Sequence, residues 1–284
     1  MVALTSVVLA EPVADLSFGM TSEMSLSGQT GARQESLPVL TRKKKNSKPK
    51  STPAPLERTY VREDYPHLTD AQYANFRNVA TPGMGRNALF RSSSPINTKL
   101  GRNREADAAT CAAGIHTVMN LADSEKKMRK RDGYAGSYYS TLDVIPLNLK
   151  VDFFSRDFRN GLAKGFRFIA SHEGPYLVHC NEGKERAGFA CALLECLMGA
   201  TADEVVADYM VSFYNYYGVE PGSDQYNAIA KDTVIRYLSA AFHIKGNTTA
   251  SIDLAACAEE YLRDIGMTDE EIQALKARLE RDYL

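Results

Sequence analysis

The chain has 284 residues, of which 44% are hydrophobic and 24% are charged, the mix of an ordinary folded protein. This composition excludes disorder along the whole chain, and the formal net charge of −1 excludes a general basic field of the kind that attracts nucleic acid. No stretch reaches the roughly 18 consecutive apolar residues of a membrane-spanning helix. We therefore expect neither a nucleic-acid partner nor a transmembrane segment.

Residues 1–55 show neither helical nor strand periodicity. Residues 2–10 resemble the apolar part of a secretory signal but lack the basic residues that precede one, so two interpretations stay open: a truncated export signal, or the apolar start of a cytoplasmic protein. Basic residues and prolines crowd residues 42–55, a composition that favours a solvated chain. We predict a flexible N-terminal tail over residues 1–55 and one folded domain over residues 56–284.

Strand-like and helical stretches alternate from residue 56 onward. Strands are predicted at residues 87–91, 115–121, 142–147 and 176–179, and helices at residues 104–113, 156–172 and 187–199. The remainder is helical by pattern, with breaks near residues 218–222 and 246–251, and Thr268 with Glu271 is predicted to form a capping box. This order predicts an α/β fold, a central sheet flanked by helices with a helical C-terminal extension.

The most informative segment joins the strand at 176–179 to the helix at 187–199. A loop that leads into a helix aims unpaired backbone N–H groups at one point, where the helix dipole adds positive potential. Gly183 allows the torsions that make such groups converge, and Arg186 can offer a planar fork to two phosphate oxygens. Cys180, at the end of the strand, is expected to be a thiolate nucleophile in this field.

Other interpretations of the same residues fit less well. If Cys180 were a core cysteine, it should not be followed by a run that is polar from Asn181 to Arg186. By contrast, Cys191 and Cys196 lie on an apolar helix and are predicted to pack in the core. Val178 stands where the loop of an ATP-binding protein needs its first glycine. The five histidines show no metal-ligand spacing, so we expect no metal and no cofactor.

The run from His179 to Phe189, HCNEGKERAGF, resembles the phosphate-binding loop of cysteine-dependent phosphatases, His-Cys-x5-Arg. It is most similar to the bacterial protein tyrosine and phosphoinositide phosphatase group, whose loop reads His-Cys-x-x-Gly-Lys-x-Arg. Segments that look like the same group follow in the order expected there, at residues 75–79, 89–93, 114–121, 207–212 and 261–266. The resemblance spans roughly residues 74–281 and implies a protein-tyrosine-phosphatase-like sheet flanked by helices.

The resemblance implies phosphomonoester hydrolysis without a metal, on phosphotyrosine, with or without dual specificity, or on a phosphorylated lipid or inositol. Cys180 would attack phosphorus to form a phosphocysteine. The phosphate oxygens would be held by the loop residues, namely Asn181, Glu182, Gly183, Lys184, Glu185 and Arg186. His179 would orient the loop or tune Cys180, and Arg91 would shape the site or support the sheet.

The resemblance also implies a general acid, an aspartate roughly thirty residues before the cysteine. Asp152 has the most suitable spacing, although it could equally be the N-cap or a surface charge of the next helix. Asp143 and Asp157 are the other aspartates in this region. Glu185 competes with them, because it stands where the group has an aspartate inside the loop.

Two loop positions bear on rate and substrate. Ala187 stands where the group has serine or threonine, whose hydroxyl helps stabilise the thiolate, and this departure predicts slower turnover. Lys184 is either a second cation that favours substrates with extra phosphates or a solvated lysine. The alternatives to a phosphatase are a weakly active phosphate-binding module and another thiolate enzyme, a sulfurtransferase or arsenate reductase. A reductase would need a resolving thiol, and the loop holds no second cysteine.

Overall fold

The computed structural model describes residues 56–244 and 252–284. The predicted tail over residues 1–55, with its export-signal interpretation, lies outside the described residues, as does the break predicted at 246–251. Within the described ranges no helix is both long enough and apolar enough to cross a membrane.

A five-stranded sheet forms the centre of the fold. Its strands are β1 (Arg77–Asn78), β2 (Leu89–Ser92), β3 (Thr117–Asn120), β4 (Asp143–Pro146) and β5 (Tyr176–His179). The spatial order is β1-β2-β5-β3-β4, with β1 antiparallel to β2 and every other neighbouring pair parallel. The residues of β2, β3 and β5 are buried throughout, as expected of parallel strands covered on both faces.

Helices cover the sheet and form the C-terminal part. Those of the described residues are α1 (Asp70–Tyr73), α2 (Asn103–Ala112), α3 (Glu125–Arg129), α4 (Arg156–Ser171), α5 (Arg186–Leu197), α6 (Ala202–Tyr217), α7 (Asp224–Ala230), α8 (Arg236–Ala241), α9 (Leu254–Asp264) and α10 (Asp269–Leu279). A π-helical stretch, Lys231–Ile235, joins α7 to α8. The predicted fold class, a central sheet flanked by helices with a helical C-terminal extension, is confirmed.

Helix α5 is the central helix of the molecule. Every residue from Arg186 to Leu197 is buried, because the helix is apolar around its whole circumference and has neighbours on all sides. Its side chains share one core cluster with α4, α6, α9 and α10. The neighbouring strands therefore fix β5, and the surrounding helices fix α5, at the two ends of the loop that joins them.

The register of the parallel strands brings three chain segments to one edge. His179 at the end of β5 pairs with Ser92 of β2 on one side and with Asn120 of β3 on the other. The segments that follow these three strands consequently leave the sheet side by side. Ligand sites in α/β sheets lie outside the carboxyl ends of the strands, and Cys180 is the first residue beyond β5.

Most predicted elements are present with bounds shifted by a few residues, and the predicted capping box of Thr268 and Glu271 is confirmed. The short elements β1, α1 and α3 had no counterpart in the prediction. A two-residue strand carries no alternation, and a helix of one turn has no apolar periodicity to detect.

Candidate active site

Cys180 lies at the bottom of the loop that joins β5 to α5. It is 1% exposed and follows directly on the buried strand. The loop residues Asn181 to Glu185 are buried or half-buried, and α5 begins at Arg186. The loop is therefore enclosed by the rest of the domain and is not a free surface segment.

Each carbonyl oxygen of this loop accepts a hydrogen bond from a group outside it. The bonds run from Ser94 N to Asn181 O (2.9 Å), from Asn75 Nδ2 and Tyr216 Oη to Glu182 O (2.9 and 3.0 Å), from Arg91 Nε and Nη2 to Gly183 O (3.2 and 2.9 Å), from Arg91 Nη2 to Lys184 O (3.2 Å) and from Phe189 N to Glu185 O (2.8 Å). The surrounding structure thus turns the carbonyl groups outward.

The N–H groups of the loop consequently face its interior, because the N–H and C=O of a planar trans peptide point in opposite directions. In the described part of the chain, the structure gives no acceptor for the backbone N–H groups of Asn181 to Arg186. Converging N–H groups at a helix N-terminus form an anion-binding nest.

Gly183 is required by this loop for two reasons. Its φ of +69° lies in the left-handed region that side chains other than glycine rarely adopt. A Cβ atom there would also lie 2.2 Å from the carbonyl oxygen of Ser92. The close approach between the loop and the end of β2 therefore depends on glycine.

The guanidinium of Arg186 turns back across the ends of the neighbouring strands. Its Nη1 donates to the carbonyl oxygens of Leu149 (2.7 Å) and Leu121 (3.3 Å), and its buried Nε finds no partner among the described residues. A buried donor without an acceptor is costly in a protein interior. A phosphate oxygen is an acceptor that would suit this side of the guanidinium.

Arg91 binds the loop between β5 and α5 through the loop's carbonyl oxygens. It is fully buried on β2, donates to the Gly183 and Lys184 carbonyls as given above, and pairs with the carboxylate of Asp208 on α6. Arg77 of β1 pairs with the same carboxylate at 2.5 Å. Burial acts to raise the pKa of Asp208, but the two arginines lower it below its usual value, so this carboxylate is charged.

His179 is fully buried behind Cys180. Its Nδ1 lies 3.0 Å from the Cys180 carbonyl oxygen, which can only accept, so Nδ1 carries the proton. Its Nε2 then accepts from the Tyr139 hydroxyl at 2.8 Å, and that hydroxyl accepts from Asn120 Nδ2 at 3.1 Å. Burial lowers the pKa of His179 to about 4, so the ring is neutral near pH 7.

Lys184 is neither solvated nor free. Its side chain is 8% exposed, and Nζ donates to the Tyr217 hydroxyl at 2.6 Å while lying 3.2 Å from Glu182 and 3.3 Å from Glu185. Burial acts to lower its pKa, but the two carboxylates raise it. The interpretation of Lys184 as a solvated lysine is therefore wrong. Its ammonium group is a second cation in the loop, but two carboxylates already share its charge.

Arg58 completes this ion network from outside the predicted phosphatase-like segments. Its guanidinium lies 2.8 Å from Glu182 and donates to the Tyr217 hydroxyl at 2.6 Å. Glu182 therefore bridges Arg58 and Lys184, one on each carboxylate oxygen. Sequence reasoning missed Arg58, because nothing local marks a residue that pairs with a distant loop.

Asp152 lies in the segment between β4 and α4, and this segment contacts α5 at two points. Leu149 accepts from Arg186, and the Phe153 ring stacks on the Phe189 ring with centroids 4.8 Å apart. Asp152 itself is exposed between these anchors. Ser155, and not Asp152, accepts from Phe158 N and caps α4, which excludes the N-cap interpretation of Asp152.

The other candidate acids occupy different places. Asp143 begins β4, at the edge of the parallel strands opposite to Cys180, so it does not join the site. Asp157 is exposed in the first turn of α4. Glu185 directly precedes Arg186, with its side chain 40% exposed and close to Lys184.

The described residues contain no group of three or more His, Cys, Asp or Glu side chains placed to hold a metal ion. The groups gathered around Cys180 are instead hydrogen-bond donors and one guanidinium. Such an arrangement binds and stabilises an oxyanion with N–H groups that are already in place.

Comparisons with known proteins identify relatives of this chain. A model of the tyrosine phosphatase family matches residues 90–281. A tyrosine-protein phosphatase from Nostoc commune is 32% identical over 122 residues, covering 40% of this chain and 42% of the relative. A putative tyrosine-protein phosphatase from Cupriavidus necator is 30% identical over 145 residues, covering 50% and 49%. The matched segments thus span less than half of each curated relative.

Two solved structures also resemble the chain. The core catalytic domain of the yeast PP-IP phosphatase SIW14, solved with citrate, aligns with a TM-score of 0.38 at 16% identity, over 58% of this chain and 91% of that domain. TpbA of P. aeruginosa, solved with phosphotyrosine, aligns with a TM-score of 0.37 at 18% identity, over 68% and 100%. With the family model covering more than half of its length, the chain belongs to the tyrosine phosphatase family.

Proposed function

We propose that this protein hydrolyses phosphomonoesters through a phosphocysteine intermediate on Cys180. The observation that carries the proposal is the loop from Asn181 to Glu185, whose carbonyl oxygens all accept hydrogen bonds from outside the loop while its N–H groups remain for an anion. An oxyanion at this point would be held by donors that need no rearrangement during the reaction.

The reaction has two steps. The Cys180 sulfur attacks phosphorus, an S–P bond forms, and the P–O bond to the ester group breaks as the leaving oxygen takes a proton from an acid. Water then gives a proton to the deprotonated acid as it attacks phosphorus, the S–P bond breaks, and phosphate leaves with the thiolate and the acid both restored. Arg186 and the loop N–H groups bind the non-bridging oxygens throughout.

Asp152 is our proposal for the acid, because its segment contacts both Arg186 and α5. Glu185 is the alternative, since it lies inside the loop itself. His179 and Arg91 are positioning residues: the first contacts the Cys180 carbonyl, and the second binds two loop carbonyls.

The substrate class follows from the family. The curated relatives are named tyrosine-protein phosphatases, which supports phosphotyrosine as a substrate of this protein. Phosphorylated lipids and inositols remain in the proposal, since the loop nest binds the phosphate and not the group that carries it. A second candidate function, a phosphate-binding module of feeble activity, is favoured by Ala187, which offers no hydroxyl to the sulfur.

Hydrolysis of p-nitrophenyl phosphate by the wild type and by Cys180→Ser tests the proposal. We expect the Cys180→Ser rate to fall by at least 1,000-fold, about the scale of losing a nucleophile. Cys111→Ser is the matched control, because Cys111 is exposed on α2 and should be dispensable. Acid quenching during turnover should trap phosphate on the wild type and on Cys111→Ser, but not on Cys180→Ser. Equal background rates for all three proteins would favour the binding module.

The two candidate acids are distinguished by leaving group. A good leaving group such as p-nitrophenolate needs little protonation, whereas an alkyl phosphate depends on the acid. We expect Asp152→Asn to slow alkyl phosphate hydrolysis at least tenfold more than p-nitrophenyl phosphate hydrolysis. The same selective loss in Glu185→Gln, with none in Asp152→Asn, would assign the acid to Glu185.

A further inference from the structure

A basic groove of about 470 Å³ lies beside the phosphate loop. Its walls come from the segment that follows β2 and from α3 with the residues around it, the parts of the chain that leave the sheet next to Cys180. The cations that line it are Lys99, Lys126, Lys127, Lys130 and Arg131, and its acidic lining residue is Asp132. None of the loop residues from Cys180 to Arg186 belongs to this lining.

Only part of this positive charge is neutralised within the protein. Lys127 and Arg131 both pair with the buried carboxylate of Asp123, at 3.0 and 2.7 Å. Lys99, Lys126 and Lys130 are exposed, and the structure shows no carboxylate partner for any of them among residues 56–244 and 252–284. The groove therefore has an excess of lysine ammonium groups that are available to a ligand.

The groove adjoins the catalytic loop through direct contacts. Asn97 in its wall donates from Nδ2 to Oδ1 of Asn181, the residue after the nucleophile, at 3.4 Å. Arg131 donates to Oδ1 of the same Asn97 at 3.1 Å. On the other strand, Leu121 accepts from Arg186 and lies just before the turn that leads to α3. A ligand bound at Cys180 would thus have the groove as its immediate neighbour.

We propose that this groove binds a second phosphate group of the same substrate molecule. The inference rests on the proposed function for the reaction at Cys180 and adds the substrate class: a small ring compound with two or more phosphates. Such a compound is either a soluble inositol phosphate or the headgroup of a phosphoinositide. Selectivity for extra phosphates would then come from Lys99, Lys126 and Lys130 and not from Lys184, whose charge two carboxylates share.

The chemistry of the groove favours a phosphate over the carboxylates of an acidic peptide. A phosphate monoester brings close to two negative charges and several acceptor oxygens to one centre, which suits several ammonium donors around one groove. Successive side chains of an extended peptide point to opposite sides about 3.3 Å apart along the chain, so its carboxylates would meet such donors singly.

The test compares hydrolysis of a bisphosphate with hydrolysis of a monophosphate. The groove variant is Lys99→Gln/Lys126→Gln/Lys130→Gln, which removes three charges and keeps a polar side chain at each position. The measured quantity is the ratio of kcat/KM for inositol bisphosphate to kcat/KM for p-nitrophenyl phosphate. Each exposed charge contact should contribute roughly twofold, so we expect the loss of three contacts to lower this ratio about tenfold. A short-chain phosphoinositide bisphosphate, below its micelle concentration, is measured in parallel.

The matched control removes the same number of charges from the C-terminal helices and tail, at Lys231→Gln/Arg236→Gln/Arg281→Gln. It should keep the wild-type ratio. A fall in the ratio for the soluble bisphosphate, the lipid or both supports the proposal and identifies which source the groove accepts. An acidic phosphotyrosine peptide is assayed alongside. An unaltered ratio in the groove variant, an equal fall in the control, or a loss confined to that peptide overturns the proposal.

Failure of the proposed function gives a different result. If wild-type protein hydrolyses no ester, the reaction at Cys180 is wrong, but the groove is still tested by calorimetric binding of inositol bisphosphate to Cys180→Ser protein. The groove substitutions should then weaken binding about tenfold. Equal affinities with and without the three lysines would reject the groove.

Discussion

Ala187 follows Arg186, the arginine of the proposed phosphate site, and is fully buried, but it carries no hydroxyl. A hydrogen bond to a charged sulfur would stabilise the thiolate as the leaving group when the phosphocysteine is hydrolysed, by about 1.5–3 kcal/mol. We therefore expect Ala187→Ser to speed dephosphorylation of the intermediate by about tenfold, measured as the steady-state rate and the trapped phosphoenzyme fraction.

The control for this prediction is Ala190→Ser, which places a hydroxyl in the same buried helix one turn further on. That change should lower stability without raising the rate. If Ala187→Ser turns over no faster than wild type, the missing hydroxyl does not limit this enzyme.

The burial of His179 makes the stability of the folded protein depend on pH. Its pKa is lowered to about 4 in the folded protein, whereas an unfolded histidine titrates near 6.5. Between these values the unfolded chain binds more protons, so stability is complete above pH 6.5 and is lost as pH falls towards 4. The shift corresponds to a loss of about 3 kcal/mol in the free energy of unfolding.

We expect urea unfolding to show this loss in the wild type between pH 7 and pH 4.5. His179→Gln should be less stable at pH 7 but should have a shallower pH dependence, because the titrating group is gone while the other histidines remain. Parallel curves for the two proteins would mean that His179 is not the group responsible. The chemical shifts of the His179 ring nitrogens give a second, direct measurement of the same pKa.

At the scale of elements, the segment from Leu56 to Tyr65 is bound to the loop after Cys180 by an ion pair. Arg58 binds Glu182, as described above, and Tyr65 packs with Tyr73 around the fully buried guanidinium of Arg102. This segment precedes the part of the chain that the family model matches. The loop after Cys180 thus has a support that lies outside the residues matched by the family model.

Arg58→Gln tests that support. We expect kcat/KM for p-nitrophenyl phosphate to fall about three- to tenfold, because Glu182 loses one of its two cations and the loop loses an anchor, while stability falls by about 1 kcal/mol or less. Arg62→Gln is the matched control: it removes an arginine of the same segment that pairs with Asp70 and does not contact the loop. Equal rates for the two variants would show that the Arg58 contact is incidental.

The strand-loop-helix unit could be predicted from the sequence because each of its signals is local. The apolar run of β5, Gly183 and the helix after Arg186 lie within a few residues of one another. The groups that hold the loop could not be predicted in the same way. Arg91 and Arg58 contact it only after the chain has folded, and a charged residue considered alone is more simply a solvated one.

Lys184 is a residue that the sequence marks as part of the site but whose role depends on distant partners. Its position after the loop glycine marks it as part of the site, but its partners decide what its charge can do. Those partners include Tyr217, at the end of a helix predicted only as one stretch of a long helical region. The sequence therefore predicts that Cys180 and Arg186 flank one buried loop, but it does not predict what the charge of Lys184 can bind.

At the scale of the whole molecule, one hydrophobic cluster joins the catalytic helix to the C-terminal helices. Phe189 of α5, Leu262 of α9 and Leu275 of α10 all belong to it and are almost completely buried. The Phe189 ring also meets the Tyr261 ring of α9 edge to face at 6.4 Å. The helical extension is therefore part of the core that supports the site, and we expect the two to unfold together.

Leu275→Ala tests this coupling at a position remote from Cys180. Removing a fully buried leucine side chain leaves a cavity and should lower the free energy of unfolding by about 3 kcal/mol. In urea, loss of p-nitrophenyl phosphate hydrolysis and loss of helical circular dichroism should move together to lower concentration, while kcat/KM of the folded protein is unaltered. Gln273→Ala, exposed on the same helix, should shift neither curve. Helical signal lost in a separate early step, with activity retained, would instead mean that the C-terminal helices are an independent unit.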